Sequence, residues 1–202
     1  MKKLGIRSIV VKKYRPQKTS KVYEKGENLL NRDFSTSRIN EKWVADITYI
    51  HSLKDGWTYL ASSILDLHTQ KIVGYSYSKN MDTSLVMQAL DNAITSQKPD
   101  RGLIVHSDRG SQYTSKEYRK TIEKNNFKLS YSAKGNPYDN ACIESFHALI
   151  KKECVYLNTF IDFNHAKLEL FKYIEGFYNR NRIHSSIGYL TPEAYEQVCR
   201  AA

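Results

Sequence analysis

The chain has 202 residues, of which 41% are hydrophobic and 26% charged, a composition typical of a globular protein with one well-buried domain. It contains no apolar run near the ~20 residues of a membrane helix, and its basic first residues lack the apolar segment of a signal peptide. These features exclude a membrane-spanning protein and favour a cytoplasmic one.

Positive charge is concentrated at the start of the chain. The net charge is +10, and residues 1–25 hold nine lysines and arginines against one acid, Glu24. Residues 1–25 therefore carry +8, which leaves +2 for the rest of the chain. A basic arm on a nearly neutral body suits a phosphate backbone, which it would bind without sequence choice. A merely solvated tail is the alternative.

The cysteines indicate neither disulfides nor a zinc site. Their number is odd, and Cys142, Cys154 and Cys199 form no Cys-x-x-Cys pair. We therefore expect free thiols in a reducing compartment.

The sequence divides into a basic arm and linker over 1–40, a core over 41–160 and a helical extension over 161–202. Residues 43–50, rich in β-branched and aromatic side chains, predict a strand, and two further strands follow over 57–67 and 71–77. Tight turns between them indicate an antiparallel meander.

Helices and strands then alternate along the chain. The remaining predicted elements are a helix from Asp82 or Thr83 to Pro99, a strand over 103–105, a helix over 115–125, a strand over 127–131, helices over 137–153 and 162–178, and a short helix from Thr191. The predicted buried side of helix 162–178 comprises Ala166, Leu170, Ile174, Phe177 and Tyr178. This order gives an α/β protein with a five-stranded mixed sheet, three antiparallel strands and then two parallel ones, flanked by helices. It is the order of the ribonuclease H-like fold.

Two aspartates occupy unusual positions in this layout. Asp46 lies inside the first strand, where aspartate is depleted and a buried carboxylate is costly unless it is paired or bound to a metal. Asp108 follows the strand 103–105, and open α/β sheets place ligand sites at the carboxyl ends of parallel strands. Solvent exposure or a lysine partner remains an alternative for Asp46, and a simple Asp-Arg-Gly turn for Asp108. Asp66, at a turn, is interpreted as structural.

Residues 134–153 predict a loop that leads into an amphipathic helix. Lys134-Gly135 is a turn signal, Asn136 can cap, and Pro137 suits the first helical position. At about 100° per residue, the apolar face comprises Cys142, Ile143, Phe146, Leu149 and Ile150. The opposite face comprises Asn140, Glu144, His147 and Lys151. That polar face is either simply solvated or directs Glu144 into a site.

Three acids could converge in this fold, because its first and fourth strands are neighbours and the helix of Glu144 overlies the sheet. Asp46, Asp108 and Glu144 would repel one another unless a cation joined them. Hard oxygen ligands select Mg²⁺ or Mn²⁺. Two such ions about 3.5–4 Å apart can clamp the attacking and leaving oxygens of a phosphodiester displacement. Lys134 and Lys151 fit a polyanionic substrate.

Four segments resemble the transposases of the insertion-sequence-three family, which are bacterial relatives of retroviral integrases with a DDE catalytic core. They are DITYI (46–50), HSDRGSQYTS (106–115), KGNPYDNACIESFHALIKKE (134–153) and YNRNRIHSSIGYLTPEAYE (178–196). The 35 residues between Asp108 and Glu144 match the family's spacing, as does a basic residue two helical turns after the glutamate, here Lys151.

The resemblance implies a reaction and a set of roles. Water would first free a 3′-hydroxyl at an element end, and that hydroxyl would then join another phosphodiester. Asp46 and Asp108 would bridge two Mg²⁺ or Mn²⁺ ions, Glu144 would complete one ion's shell, and Lys151 would contact DNA near the scissile phosphate. Implied partners are element-end and target DNA, further copies of the chain in a dimer or larger assembly, and an upstream-frame helix-turn-helix protein, all on the bacterial nucleoid.

Family members usually carry helix-turn-helix segments before the core, whereas this sequence has only KKLGIRSIVVKKYRP there. We therefore expect a truncated copy or the catalytic portion of a longer product. From side-chain chemistry we add that Asn140, His147 and Arg109 line the DNA path, with a simple surface role as the alternative for His147. Two other functions fit the same residues: a ribonuclease H-type or other metal-dependent nuclease, and a non-catalytic DNA-binding remnant.

Overall fold

The computed structural model describes residues 26–133 and 137–201, within which a five-stranded mixed sheet forms the centre of the fold. The strands are β1 (Lys42–Ser52), β2 (Gly56–Asp66), β3 (Ile72–Ser78), β4 (Ile104–Ser107) and β5 (Lys128–Tyr131). They lie in the order β3-β2-β1-β4-β5. The first three are antiparallel, β4 is parallel to β1, and β5 is parallel to β4, so the predicted sheet is confirmed.

The helices are α1 (Thr83–Gln97), α2 (Lys116–Lys124), α3 (Ala141–Glu153), α4 (Phe163–Phe171) and α5 (Pro192–Ala201). Asp82 and Ser115 cap α1 and α2, since their side chains accept hydrogen bonds from the amides of Leu85 and Tyr118. A short 3₁₀ turn, Pro137–Asn140, leads into α3. None of the described helices has the length and apolarity to cross a membrane.

The core has two layers, because β1 is a central strand that buries both of its faces. Trp43 and Ala45 pack on the side of α1 and α2. Val44 and Ile50 pack on the opposite side, against α3 and α4. This arrangement places α3, which carries Glu144, directly over the strand that carries Asp46.

The segment after α4 differs from the prediction. Residues Lys172–Tyr178 form a π-helical stretch, which takes more residues per turn than an α-helix and so rotates the following side chains. As a result Phe177, predicted to be buried, is 44% exposed, whereas Tyr173 is buried. The buried amide of Asn179 then hydrogen-bonds both the N–H and the C=O of Ile72, each at 3.0 Å, and ties this segment to β3.

Several sequence expectations fall outside the described residues. The basic arm over 1–25, the turn at Lys134-Gly135 and the cap at Asn136 all belong to this group. The structural role of Asp66 is confirmed, because its fully buried carboxylate accepts hydrogen bonds from the hydroxyl of Thr69 and the amide of His68. The cysteines are free thiols.

Candidate active site

Asp46 lies at an irregularity in the central strand. The pairing of β1 with β2 shifts register between Asp46, opposite Ser63, and Thr48, opposite Leu60. Such bulges re-aim side chains and are frequent beside active sites. The side chain of Asp46 is 22% exposed, and its carboxylate accepts a hydrogen bond of 2.8 Å from the amide of Ile47. Asp46 thus occupies the one place in β1 where the pairing with β2 is irregular.

Asp108 lies next to Asp46 because the parallel pairing of β4 with β1 ends one residue earlier, at Ser107 opposite Ala45. The residue is exposed, yet its pKa is raised. The main cause is that protein atoms displace water from the carboxyl group; the hydrogen bond from the Gly110 amide lowers the pKa, and the charge of Asp46 raises it. The two acids therefore interact electrostatically.

Gly110 allows the chain to close around the Asp108 carboxylate. Its amide donates a hydrogen bond of 2.8 Å to Oδ1 of Asp108. A Cβ at position 110 would lie only 2.9 Å from the same oxygen. Glycine at this position therefore lets the amide approach without displacing the carboxylate.

Glu144 and Lys151 project from α3 toward Asp46. The helix packs on the sheet through Ile143, Phe146 and Ile150, which leaves Glu144 exposed. Asp46, Glu144 and Lys151 line one cleft of about 450 Å³. Glu144 forms no hydrogen bond or ion pair with any residue that the structure describes, so its carboxylate has free coordinating capacity.

His147 contradicts the predicted polar face of α3. It is only 6% exposed, and its Nδ1 lies 3.5 Å from Oδ2 of Asp46. It shares a helical face with Ile143 and Ile150 at the i, i+4 and i+7 positions. Within the described part of the chain, its buried Nε2 has no hydrogen-bond partner. His147 lines the cleft from the protein interior rather than from the surface.

The three acids are connected through Asp46, which neighbours Asp108 on one side and faces Glu144 across the cleft on the other. Over residues 26–133 and 137–201, no three or more His, Cys, Asp or Glu side chains are arranged to hold a metal ion. The donor types suit a hard divalent cation, but this arrangement is open: Asp46 and Glu144 line the cleft, whereas Asp108 lies beside Asp46 at the end of β4, outside the residues that line it.

The other predicted DNA contacts differ in their surroundings. Arg109 donates hydrogen bonds to the carbonyls of Ser132 at 3.0 Å and Gly26 at 2.9 Å, and thereby ties two chain segments together. Asn140 is 5% exposed, and its buried Oδ1 has no partner within the described residues. Lys134 lies outside those residues.

Sequence reasoning missed Asp139, which fixes the entry to α3. Its side chain is 2% exposed and accepts hydrogen bonds from Asn28 at 3.0 Å, Arg32 at 3.0 Å and the Ala133 amide at 2.9 Å. Burial alone would raise its pKa, but the Ala133 amide and the Arg32 guanidinium outweigh that effect and the pKa is lowered. An acid in a turn is too common to reveal such a role from sequence.

Known proteins resemble this chain in sequence. Two family models, each described as an integrase core domain, match residues 36–137 and 125–192. The transposase InsF for insertion sequence IS3A of Escherichia coli (strain K12) is 44% identical over 170 residues, which cover 84% of this chain and 58% of that protein. The transposase for insertion sequence element IS904 of Lactococcus lactis is 43% identical over 170 residues, with 84% and 66% covered. The chain thus spans less than two thirds of these relatives, and the resemblance found in its motifs is confirmed.

Solved structures with little sequence identity have the same fold. A chain of the simian T-cell lymphotropic virus intasome in complex with PP2A regulatory subunit B56 gamma has a TM-score of 0.64 at 18% identity and covers 79% of this chain and 55% of that chain. The HTLV-2 integrase catalytic core domain in complex with magnesium has a TM-score of 0.59 at 18% identity, with 80% and 99% covered. The predicted ribonuclease H-like fold is confirmed.

Proposed function

We propose that this chain, which belongs to the integrase core domain family, is the catalytic part of a transposase that cleaves and joins DNA strands with divalent metal ions. The main support is the neighbourhood of Asp46: it interacts with Asp108 where β4 ends and shares a cleft with Glu144 on α3. These are the three acids that the family motifs single out.

Asp46, Asp108 and Glu144 would hold the Mg²⁺ or Mn²⁺ ions, two of which we expect. All donors are carboxylate oxygens, as such ions prefer. Removal of water from the carboxyl group is the main cause of the raised pKa of Asp108, and the charge of Asp46 adds to it; a bound divalent cation would favour the charged form of both carboxylates. When bound, the ions would lower the pKa of the attacking hydroxyl and stabilise charge on the phosphoryl oxygens.

The residues of the chain would orient the reaction around these ligands. The Gly110 amide holds the Asp108 carboxylate, and His147 restrains that of Asp46 from the interior side. Lys151, at the edge of the cleft, would bind a phosphate next to the reacting one. Water would displace the 3′-oxygen of one phosphodiester, and the resulting 3′-hydroxyl would attack a second phosphodiester, forming one P–O bond as another breaks.

The proposed partners are element-end DNA, target DNA and further copies of the chain, on the bacterial nucleoid, with an upstream-frame helix-turn-helix protein as an additional one. The division into an arm over 1–40, a core over 41–160 and an extension over 161–202 is part of the proposal. Arg109, Asn140 and Lys134 are further proposed DNA contacts.

A strand-joining assay tests the function. A donor duplex with a free 3′-hydroxyl, incubated with target DNA and Mn²⁺, should yield joined product with the wild-type chain. Glu144→Gln should abolish joining and retain DNA binding, whereas Glu123→Gln, a change of an exposed acid on α2, should retain both. Cleavage without joining would favour the nuclease, and DNA binding without either reaction would favour the remnant.

The role of the basic arm has a separate test. Deleting residues 1–25 should weaken DNA binding and flatten its salt dependence, by roughly 0.9 in log–log slope for each phosphate that the arm neutralises in the wild-type chain. Measurement of affinity over a salt series checks this. An unchanged slope would show that the arm does not bind phosphates.

A further inference from the structure

A second concave surface, which we call the aromatic groove, lies between the β1–β2 hairpin and the segment after α3. Its volume is about 800 Å³, within the range of ligand pockets. The side chains that carry the argument are Tyr49, His51, Trp57, Tyr59, Tyr156 and Lys151. None of the described residues that line the groove is acidic.

The rings of the groove share the outward face of the hairpin. Residues at 48, 50 and 52 of β1 are buried, so Tyr49 and His51 point the other way. Across the strands, the rings of Tyr49 and Tyr59 meet edge to face at 5.6 Å, and those of His51 and Trp57 at 5.0 Å. Trp57 is nevertheless 64% exposed. A large aromatic surface left open in this way indicates a binding site.

The groove is held open by the backbone. The amides of Leu53 and Lys54, at the hairpin tip, donate hydrogen bonds of 2.9 and 3.0 Å to the carbonyls of Phe160 and Ile161. These bonds join the two walls, so the rings face a preformed space, and a ligand would bind without ordering the walls first.

The groove continues directly into the candidate active site. Tyr49, Lys151 and Tyr156 line both the groove and the cleft that holds Asp46 and Glu144. A lysine at the junction suits a phosphate, and the rings beyond it suit the faces of bases. Bases inside a duplex have both faces covered by their neighbours, so a nucleotide that is not at a duplex end must be unpaired to stack on such rings.

We propose that the aromatic groove binds one or two unpaired nucleotides that flank the phosphodiester at the candidate site, with their bases stacked on Trp57 and Tyr156. The choice of DNA as the ligand rests on the proposed function, whereas the binding itself requires no catalysis. The groove would thus recognise strand ends that have opened, or that carry a single-stranded flank.

Fluorescence binding with the full chain in Ca²⁺ tests this inference. The probes are a short blunt duplex and the same duplex with an overhang of a few nucleotides that contains 2-aminopurine. The wild-type chain should prefer the overhang and quench its fluorescence. Trp57→Ala should weaken binding of the overhang duplex roughly 5- to 100-fold, the usual effect of removing one stacking ring, and leave blunt-duplex affinity unchanged. Trp57→Phe should retain most of the preference.

Tyr156→Ala, on the opposite wall, is a second variant that keeps the test valid if Trp57→Ala does not fold. Tyr189→Ala, which removes an equally exposed ring elsewhere, is the matched control and should behave as wild type. Loss of blunt and overhang binding by the same factor, or no loss in either groove variant, would overturn the inference. The inference would also be overturned if Trp57→Ala or Tyr156→Ala converted a dimer to a monomer in sedimentation but kept the preference for the overhang duplex. The groove would then bind a second copy of the chain.

The two proposals fail in different ways. A wild-type chain that joins no strands but shows a Trp57-dependent preference for overhangs would contradict the proposed function and support the groove. Strand joining with no effect of Trp57→Ala or Tyr156→Ala on overhang binding would do the reverse.

Discussion

Asp139 and Glu144 lie five residues apart, at the entry to α3 and in its first turn, yet the protein surrounds them differently. Asp139 is buried and accepts three hydrogen bonds, from Asn28, Arg32 and the amide of Ala133. Glu144 is exposed and has no hydrogen-bond or ion-pair partner among the residues that the structure describes. The carboxylate of Asp139 is occupied by hydrogen bonds that stabilise the fold, whereas the carboxylate oxygens of Glu144 are free to bind a ligand.

Asp46 and Asp108 resemble Glu144 more than Asp139 in this respect. Each accepts one backbone amide hydrogen bond, from Ile47 and Gly110 respectively, which leaves most of its capacity free. The number of hydrogen-bond donors around a carboxylate therefore distinguishes an acid needed for folding, which has several, from an acid available for a ligand, which has one or none. Four substitutions test that separation, from the largest expected effect to the smallest.

Asp46→Asn and Asp108→Asn should each reduce strand joining to below a few per cent of wild type, because a neutral amide is a poor ligand for a divalent cation. The free energy of unfolding should not fall. Joining rates in Mn²⁺ and thermal melting check the two parts, with Asp91→Asn, on the exposed side of α1, as the control. Substantial residual joining in either variant would count against the metal assignment.

Gly110→Ala should reduce joining by roughly 10- to 100-fold, since the new Cβ would displace the Asp108 carboxylate and small misplacements of catalytic groups are costly. Stability should change little, because the contacted oxygen is the end of a side chain that can move. The control is Gly176→Ala, where an added Cβ meets no heavy atom within 4 Å. Equal rates for the two variants would show that the position of the Asp108 carboxylate does not limit the reaction.

Asp139→Ala should destabilise the fold by about 2 kcal/mol, because it leaves buried donors unpaired, and lower the melting temperature by about 4–8 °C. Joining measured well below that temperature should fall far less than in Asp108→Asn. Denaturant unfolding of Asp139→Ala and Asp91→Ala checks this. A fully stable Asp139→Ala would show that its hydrogen bonds do not hold α3 in place.

The smallest expected effect is on the pH dependence of stability, which should have opposite signs for Asp108 and Asp139. The pKa of Asp108 is raised in the folded state, so without divalent ions its contribution to stability declines as pH rises from the ordinary carboxyl value through the raised one. The pKa of Asp139 is lowered, so its contribution is present above the ordinary carboxyl value and is lost as pH falls through the lowered one.

Unfolding free energies measured over acid pH in EDTA should therefore decline less with rising pH in Asp108→Asn than in wild type. In Asp139→Ala the loss of stability on acidification should be smaller than in wild type. A steeper decline in Asp108→Asn would mean that the pKa of the Asp108 carboxyl group is not raised in the folded protein.

Much of the fold follows from local sequence signals. β-Branched and aromatic runs predicted the strands, and Asp82 caps the helix that was predicted to begin at Asp82 or Thr83. The neighbouring positions of Asp46 and Asp108 followed from the parallel pairing of their strands. These predictions succeeded because each depends on a short window or on a general rule of sheet topology.

Other features depend on contacts that no short window contains. The donors to Asp139 from Asn28 and Arg32 lie 111 and 107 residues away in sequence. The burial of His147 reflects how α3 rotates onto β1, and the exposure of Phe177 follows from a π-helical stretch that has no clear sequence signature. The bulge at Asp46 likewise appears only once β1 and β2 are paired.

Convergence of the three acids on bound ions can be measured directly by replacing Mg²⁺ with Fe²⁺ and mapping cleavage of the chain by the hydroxyl radicals that the iron generates. With DNA present, cuts should appear near Asp46, Asp108 and Glu144 together, and excess Mg²⁺ should suppress all of them in parallel. Cuts near only one or two of these residues, or cuts that Mg²⁺ does not suppress, would contradict a shared metal site.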